Sequence, residues 1–499
     1  MSRKEGTAMM KNIARLLLYL VASATLVAAA TTEQMPKGIT VASGQTLDLT
    51  GRTVQTPTVV VNSGGTLLLS GTTLIMDGAS NGTANIWVKD GTMKILAASE
   101  IKSANANRYT FWVDAGSTFE MRDSTMSGCG YESSGDSTKG MLIKASGAIL
   151  ENNDFGINYV CVILDGTSNV KITSNRFNNC EYQAASVSNS NSAEISSNVF
   201  SKNYPTQYSV RLSSCLNAAV FDNTFDNSFG IGLLHTNASV IRKNNFNDPT
   251  GPSIMISTDY HDSKENLLEN NTIAGRLKIE GFSNIIKGGS VGTELFIGTA
   301  ADNNAFEGVQ FTGTDMTLNS QSVTGTTFDN NVFDGTAFSE DNAVITLESN
   351  NTVHKATFGK NVSIIMTGIQ NVVDNVTIQD CAGILIGVPY INGAGAWNTL
   401  SNSVVVLNFA SGHGIVCDGP CLIANCTITD TVTLAQQATE REASLTGLVV
   451  AREAGLAASS VPETAAPKQQ TSNGVQAAFP LIVLLGAAAL FAFWTMKGR

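Results

Sequence analysis

One short pattern recurs through the middle of the chain and restricts the folds that this chain can adopt. In each copy an Asn stands two residues before a large apolar residue, as in Asn153-Asp154-Phe155. The apolar residues of successive copies are separated by 21 to 27 positions and are Phe155, Phe177, Phe200, Phe225, Phe246 and Ile273. Repeats of this length are typical of solenoids, in which one repeat buries its apolar face only by stacking on its neighbours.

The residues between these anchors favour strands. Short segments such as 170–173 alternate apolar and polar residues, are rich in β-branched side chains and are bounded by Asn, Ser and Gly. This pattern indicates β-strands, and the density of turns without helix-forming segments favours a parallel β-helix. We therefore predict an all-β solenoid over residues 31–430. The repeated Asn is expected to tolerate a left-handed backbone and to hydrogen-bond through its amide from repeat to repeat.

The two ends of the chain have a different character. Residues 1–30 carry Lys11 and Arg15 before an apolar run that ends in alanines, which predicts a secretory signal peptide; an N-terminal membrane anchor is the alternative. Residues 431–476 are rich in Ala and Glu and then in Pro, Gln and Ser, which indicates a cap followed by a linker.

The C-terminal segment predicts a membrane attachment. Residues 477–494 are apolar and uncharged, a length that suits one transmembrane helix, and Lys497 and Arg499 follow at once. Basic residues favour the cytoplasmic side, so residues 495–499 are predicted to form a cytoplasmic tail and the solenoid to face outwards as a cell-surface ectodomain. A lipid-anchor signal would look similar, and that alternative remains open.

The charge of the chain excludes one class of partner. The formal net charge is −11, and removing residues 1–30 takes away four basic residues and one acidic residue, which leaves −14. No cluster of Lys and Arg remains that could follow a phosphate backbone, so nucleic acid is not expected as a partner.

Cysteines and glycosylation acceptors fit an exported chain. An even number of cysteines predicts disulfides of undetermined pairing, with Cys417, Cys421 and Cys426 expected to pair locally; together with His413 these three are an alternative metal site. In a chain this rich in Asn, Ser and Thr, many acceptor triplets arise by chance. The Asn-x-Ser/Thr acceptors are Asn81, Asn237, Asn270, Asn350, Asn361, Asn375 and Asn425.

The repeats over 168–177 and 193–200 resemble those of the NosD-like and pectin-lyase-like right-handed parallel β-helix superfamily. The resemblance covers most of residues 38–430 and implies a right-handed coil. It implies no single activity, because that superfamily includes lyases, glycoside hydrolases, epimerases and non-catalytic surface proteins.

One segment resembles a catalytic motif of that superfamily. The run Asp259-Tyr260-His261-Asp262 is similar to the Asp-Pro-His-Asp segment of alginate-type C5-epimerases, with Tyr260 where Pro is expected. The resemblance implies catalytic roles for Asp259, His261 and Asp262 in removing a proton next to a carboxylate. A solvated turn and, with Glu265, a weak Ca²⁺ site are the alternatives; apart from this and the alternative metal site at His413, no cofactor or metal is predicted.

Two further features bear on binding. Tyr109 and Trp112 lie in an aromatic segment that is either part of the core or a shelf on which a sugar ring stacks, and residues 128–140 form a Gly/Ser-rich insertion of a kind that often borders a binding surface. The first functional hypothesis is a membrane-anchored, extracellular structural, adhesive or glycan-binding protein. The alternative is a tethered polysaccharide-acting enzyme: a lyase, a C5-epimerase or a glycoside hydrolase.

Overall fold

The computed structural model describes residues 31–203, 207–256, 263–297, 301, 303–311, 315–317, 327–329, 332–333, 343–347, 352–358, 362–366, 370–381, 383–387, 398–407, 415–418 and 421–430. The backbone of these residues winds as a right-handed parallel β-helix. Each strand pairs in parallel with the equivalent strands of the coils before and after it, so like positions of the repeat lie one above another. The predicted all-β parallel solenoid is thereby confirmed.

Each coil contributes strands to three sheets, which we number in the order in which the chain first meets them. Within the described residues the first sheet has 18 strands. Their bounds are Glu33–Gln34, Thr53–Thr56, Thr73–Met76, Glu100–Ser103, Thr125–Met126, Asp154–Phe155, Arg176–Asn178, Val199–Ser201, Thr224–Asp226, Asn245–Phe246, Thr272–Ile273, Ser290–Val291, Gln310–Phe311, Val332–Phe333, Thr357–Phe358, Thr377–Cys381, Val404–Leu407 and Thr427–Asp430.

The described part of the second sheet has 13 strands, and a separate sheet with four described strands follows it along the chain. The 13 strands are Ile39–Val41, Thr58–Val61, Asn85–Val88, Thr110–Val113, Gly140–Ile143, Val160–Asp165, Gln183–Ser188, Val210–Ser213, Ile231–Leu234, Pro252–Ile256, Arg276–Ile279, Glu294–Ile297 and Asp315–Thr317. The four later strands are Ala343–Leu347, Val362–Met366, Gly383–Gly387 and Ile415–Asp418.

The third sheet follows the second in every coil, and its strands are short. They are Thr46–Asp48, Thr66–Ser70, Thr92–Leu96, Thr118–Arg122, Ile149–Glu151, Lys171–Thr173, Glu194–Ser196, Ala219–Phe221, Val240–Arg242, Leu267–Glu269, Ile285–Lys287, Ala305–Glu307, Thr327–Asp329, Thr352–His354, Val372–Asp374, Asn398–Ser401 and Cys421–Ala424. One 3-10 helix, Asp136–Thr138, lies in the insertion of residues 128–140.

The interior is filled by columns of identical or similar side chains. The Phe residues of the repeat stack on the inner side of the first sheet, with Phe200 4.7 Å from Phe225 and 5.0 Å from Phe177 between ring centroids and with nearly parallel planes. All three rings are fully buried. In-register parallel pairing places the same position of each coil above the next, so Phe fills this column from Phe155 to Phe246 and other apolar residues continue it on both sides.

A ladder of buried Asn side chains joins the third sheet to the first. Asn175 donates through Nδ2 to Leu150 O at 2.8 Å and to Asn198 Oδ1 at 3.1 Å. Its own Oδ1 accepts from the backbone and side-chain nitrogens of Asn153, both at 2.9 Å. Each amide is therefore satisfied along the coil axis, as predicted, and a polar group is buried without the cost of an unpaired donor or acceptor.

The left-handed backbone position is the residue before each ladder Asn, not the ladder Asn itself. Asn152 and Asn270 have φ of +54° and +53°, and both side chains are exposed. Other residues at this position with positive φ are Ser174, Ser197, Asp222 and Lys243. The expectation of a left-handed ladder Asn was wrong, because the sharp bend falls on the exposed residue and leaves the next amide free to point along the axis.

One disulfide is present among the described cysteines, between Cys161 and Cys180 of adjacent coils. Cys426 is a free, buried thiol that donates to Leu400 O and Ala424 O, so the pairing expected for it with Cys417 or Cys421 was wrong. The side chains of Cys417 and Cys421, and His413 entirely, lie outside the described residues. In the described part of the chain no helix has the length and hydropathy to span a bilayer. Residues 1–30 and 431–499 lie outside that part.

Candidate functional site

The catalytic motif suggested by the sequence lies in a part of the chain that the structure leaves undescribed. Asp259, His261 and Asp262, with Tyr260, fall within residues 257–262, outside the described ranges. Their catalytic roles therefore stay a prediction. Within the described residues no group of three or more His, Cys, Asp and Glu side chains is placed to hold a metal ion, and the suggested Ca²⁺ site depends on the same undescribed segment.

The described residues instead place an unusual row of side chains on the outer side of the second sheet. The backbone partners are in register, so the row climbs one coil per residue. We call it the outer column; its members are Trp87, Trp112, Leu142, Ile163, Ser186 and Arg211. Outward positions of a solenoid sheet are usually polar, so two indoles and two aliphatic side chains in sequence require another explanation.

The aromatic end of the outer column is held in a fixed geometry. The rings of Trp87 and Trp112 meet edge to face, with centroids 5.5 Å apart and planes at 82°. Trp87 Nε1 donates to Asp114 Oδ2 at 2.7 Å, and the Lys89 ammonium lies 3.5 Å from the centroid of the Trp87 ring. Both indoles remain half-buried and present apolar surface to solvent.

The middle of the column forms a small apolar cluster outside the main core. Leu142, Val160 and Ile163 pack together on the outer face, with Trp112, Tyr159 and Tyr182 against them. Tyr159 and Tyr182 stack with centroids 5.5 Å apart and planes at 7°, and partial burial raises the pKa of the Tyr159 phenol. The outer side of the second sheet therefore carries an apolar cluster next to the stacked rings of Tyr159 and Tyr182.

The insertion of residues 128–140 forms the opposite border. Trp112 Nε1 donates to Ser137 O, which ties the loop to the outer column. Lys139 Nζ lies 2.8 Å from Asp136 Oδ1 within the same loop. The insertion thus borders the surface that the sequence suggested it would, and the groove between loop and sheet has a volume of about 500 Å³. A neighbouring hollow of about 310 Å³ shares Ser137, Leu142 and Lys144 with the groove.

We call the two together the outer groove, and its polar rim is balanced in charge. Lys144 Nζ lies 3.2 Å from Asp165 Oδ2, and Asn189 Nδ2 donates to Asp165 Oδ1 at 3.1 Å. The hydrogen bond from Asn189, with the nearby Lys144, holds the pKa of Asp165 below its usual value. The carboxylate is therefore ionised at neutral pH and fixes the position of the lysine.

Two donors that line the groove, Arg211 and Gln183 Nε2, have no partner among the residues that the structure describes. Arg211 lines the groove and pairs with no carboxylate among the residues that the structure describes. Gln183 is almost fully buried, and its Nε2 makes no hydrogen bond within the described part of the molecule. A buried donor without a partner costs about 1–3 kcal/mol, so a ligand oxygen that accepted from Gln183 Nε2 would recover that cost.

Sequence reasoning anticipated only part of this site. Trp112 belongs to it, but Tyr109 does not, because its ring points into the core and is fully buried; the shelf interpretation of Tyr109 was wrong. Burial raises the pKa of the Tyr109 phenol well above its usual value. Arg211 and Gln183 belong to no local sequence motif. The register of their strands places both at the groove, and an alignment of the repeats could have suggested that register.

A comparison with known proteins gives a family match but no close relative. The family model described as a right handed beta helix region matches residues 58–225 and 160–279. A comparison with curated protein sequences found no match.

Solved structures with similar coils share little sequence with this chain. A double mutant of the periplasmic alginate epimerase is 11% identical, with a TM-score of 0.30, over 76% of this chain and 77% of the other. An alginate lyase in complex with G6 is 14% identical, with a TM-score of 0.30, over 80% and 84%. A tailspike protein of an E. coli bacteriophage in complex with pentasaccharide is 14% identical, with a TM-score of 0.29, over 73% and 74%. Similarity this low carries no information on what this chain binds.

The matched segments include all six residues of the outer column, from Trp87 to Arg211. The family match and the parallel in-register coils agree on the class of the protein. The described residues form a right-handed parallel β-helix, and the family model for a right handed beta helix region matches residues 58–279 of it.

Proposed function

We propose that the protein is a membrane-anchored, extracellular β-helix protein that binds glycans, and that the outer groove is the binding site. The outer column carries the proposal, because it places half-exposed indole rings beside a buried aliphatic cluster on a sheet face where polar residues are the norm.

The chemistry of the groove suits a saccharide. A sugar ring has one face of C–H groups, which packs on an aromatic surface, and an edge of hydroxyl groups, which exchange hydrogen bonds with polar side chains. Trp87, Trp112 and Tyr182 supply aromatic surface, while the rim supplies amide, carboxylate, ammonium and guanidinium groups. The coil spacing of about 4.8 Å is close to the length of one sugar unit, which favours a chain laid along the column.

The location outside the cell is part of the same proposal. It is supported by the predicted signal peptide of residues 1–30 and the predicted transmembrane helix of residues 477–494. The disulfide between Cys161 and Cys180 fits an oxidising compartment. Treating intact cells with a protease tests this location: loss of the β-helix from intact cells is expected, and survival until the cells are lysed would contradict it.

Binding is tested with the full chain in detergent on an array of neutral and acidic glycans. We expect retention of at least one class of linear glycan, and loss of that retention in a Trp87→Ala/Trp112→Ala variant that still unfolds cooperatively. Leu216→Ala is the matched control, because Leu216 is an exposed apolar residue away from the groove. Equal binding by the double variant and the control would place any glycan site elsewhere.

An enzymatic function rests on a different observation. It needs Asp259, His261 and Asp262 to act together, and these lie outside the described residues. Incubating the protein with a panel of uronic-acid polymers separates the two hypotheses. Turnover that disappears in His261→Ala would favour the tethered enzyme, whereas retention on the array without turnover supports a binding protein.

A further inference from the structure

Seven acceptor triplets for N-glycosylation occur in the chain. In the fold, those that are described do not all lie at the same position of the repeat. Three acceptors, Asn270, Asn375 and Asn425, occupy one and the same position of the repeat. Each is the exposed residue with left-handed backbone, at φ of +53°, +52° and +55°, in the bend between the third sheet and the first. We propose that these three residues carry N-linked glycans in a row along this bend.

The hydroxyl residue of each triplet also lies at an equivalent place. Each is the first residue of a strand of the first sheet, two residues after the acceptor: Thr272, Thr377 and Thr427. Thr272 and Thr427 are exposed and Thr377 is half-buried, so both ends of the triplet face outwards. A modifying enzyme needs access to the acceptor amide and to the hydroxyl two residues later, and the bend offers both.

The hydrogen bonds of the acceptors leave room for the modification. Asn425 Nδ2 donates one hydrogen to Asn402 Oδ1 at 3.2 Å, and a second hydrogen remains on that nitrogen. Asn375 uses its backbone nitrogen, which donates to Ser401 O, to hold the bend. Glycosylation therefore replaces one hydrogen of each amide and keeps the contacts between coils.

Among the described residues, the acceptors outside this bend are Asn81 and Asn237, and Asn237 gives a natural contrast. Asn237 is half-buried, and its Oδ1 accepts from Lys264 N at 2.9 Å. The hydroxyl of its triplet belongs to Ser239, which is fully buried and accepts from Ala218 N. Asn237 is therefore expected to stay unmodified in the folded chain.

The proposed step transfers an oligosaccharide from a lipid-linked phosphate donor of the exporting cell. Asn Nδ2 attacks the anomeric carbon of the first sugar, and the bond between that carbon and the phosphate oxygen breaks. The lipid phosphate leaves with the electron pair, and one proton of Nδ2 passes to a base. No oxidant or reductant takes part.

The row of acceptors lies away from the sheet that carries the outer groove. The bend joins the third and first sheets, so it is the one corner of the coil that does not border the second sheet. Glycans placed there leave the groove open. The inference depends on the exported location in the proposed function, but it does not depend on the groove.

The test is glycopeptide mass spectrometry on the full chain purified from the membranes of its source cells. We expect one oligosaccharide on each of Asn270, Asn375 and Asn425 in most molecules, and an unmodified Asn237. Asn375→Asp should remove one oligosaccharide mass and no more. Asp tolerates the left-handed bend, so this variant keeps the fold; Thr272→Ala removes the acceptor at Asn270 without changing the bend residue.

A variant that creates a new acceptor tests the proposal without removing an existing one. Asn152 occupies the same exposed left-handed position but is followed by Asn153 and Asp154, which complete no acceptor. Asp154→Thr completes an Asn-Asn-Thr acceptor there, and one additional oligosaccharide is expected on Asn152.

Three results would overturn the inference. These are bare Asn270, Asn375 and Asn425 in the exported chain, occupancy of Asn237 equal to theirs, or a chain that is not exported at all. Glycan-array binding is measured on the same samples, so failure of the groove and failure of this row are told apart.

Discussion

The inner column of Phe residues on the first sheet and the outer column on the second sheet both follow in-register parallel pairing, but they obey opposite chemical rules. Inside, the column through Phe177, Phe200 and Phe225 repeats one residue type from coil to coil. Outside, the column from Trp87 to Arg211 changes residue type at almost every coil. A solenoid needs uniform columns to fill a uniform interior, whereas nothing in the packing of coils requires a varied outer column. The outer column is therefore free to change residue type without loss of the fold, and the proposed binding function requires that freedom.

The largest effect on stability is expected when a ring is removed from the buried Phe column. Phe200→Ala should lower the free energy of unfolding by about 3–5 kcal/mol, because it deletes a buried ring that stacks on Phe177 and Phe225 and leaves a cavity. Chemical denaturation monitored by circular dichroism measures the loss. The exposed neighbour Val199 provides the control, and Val199→Thr should change stability little. A loss below about 1 kcal/mol for Phe200→Ala would show that the column is not tightly packed.

The second test concerns the Asn ladder. Asn198→Ala should cost about 1–3 kcal/mol, because Ile172 O and the backbone nitrogen of Asn175 lose their partners in a buried place. The same denaturation experiment measures it. Ser197→Asn, at the exposed left-handed position beside it, should be close to neutral, since Asn tolerates that backbone. If the two substitutions changed the free energy of unfolding equally, the Asn198 amide would contribute no more to stability than the side chain at the bend.

The third test turns to the outer column. Trp112→Ala should weaken glycan binding about tenfold, or about 1.4 kcal/mol, through loss of a stacking surface and of the contact with Ser137 in the loop. Titration with the glycan retained on the array measures the affinity. Trp112→Phe keeps a ring and should recover part of the binding. A Trp112→Ala protein that binds as tightly as the parent would remove Trp112 from the site.

The smallest effect belongs to the rim of the groove. Asn189→Ala should lower the free energy of unfolding at pH 7 by less than about 1 kcal/mol, since the pair with Asp165 is partly exposed. The pKa of Asp165 is depressed in the folded state, so its contribution is present above the unfolded pKa of about 3.9 and is lost as pH falls through the lower folded value. The difference between parent and variant should therefore shrink below about pH 4.

Denaturation curves at pH 7 and pH 3 check this dependence. A difference that grows on acidification would contradict a depressed pKa for Asp165. Lys171→Ala on the third sheet is the control for removing an exposed polar side chain away from the groove.

Much of the fold could be predicted from the sequence because the same residue types recur at the same position of successive repeats. The columns of Phe155 to Phe246 and of Asn153 to Asn271 are visible as spacings, and parallel pairing then fixes which side chains stack. The bend residue was misplaced by one position, because Asn is compatible with both the bend and the ladder and the sequence does not say which Asn takes which role.

The candidate site was predictable only in fragments. Trp112 and the insertion of residues 128–140 were visible as deviations from the repeat. Arg211 and Gln183 were not, because each lies in an ordinary strand and joins the site only through neighbours one or two coils away. The separation of Asn270, Asn375 and Asn425 from Asn237 likewise needed the exposure of each triplet.

The sequence by itself determined the coil, since its period and its alternation of apolar and polar residues allow one way to bury a continuous core. The tertiary structure alone decided which outward side chains share a groove and which acceptor amides reach solvent. The physical reason is that burial depends on the coils above and below. A local pattern specifies the inward side of a strand, but contacts across coils join residues about 20 to 30 positions apart and set what the outward side can bind.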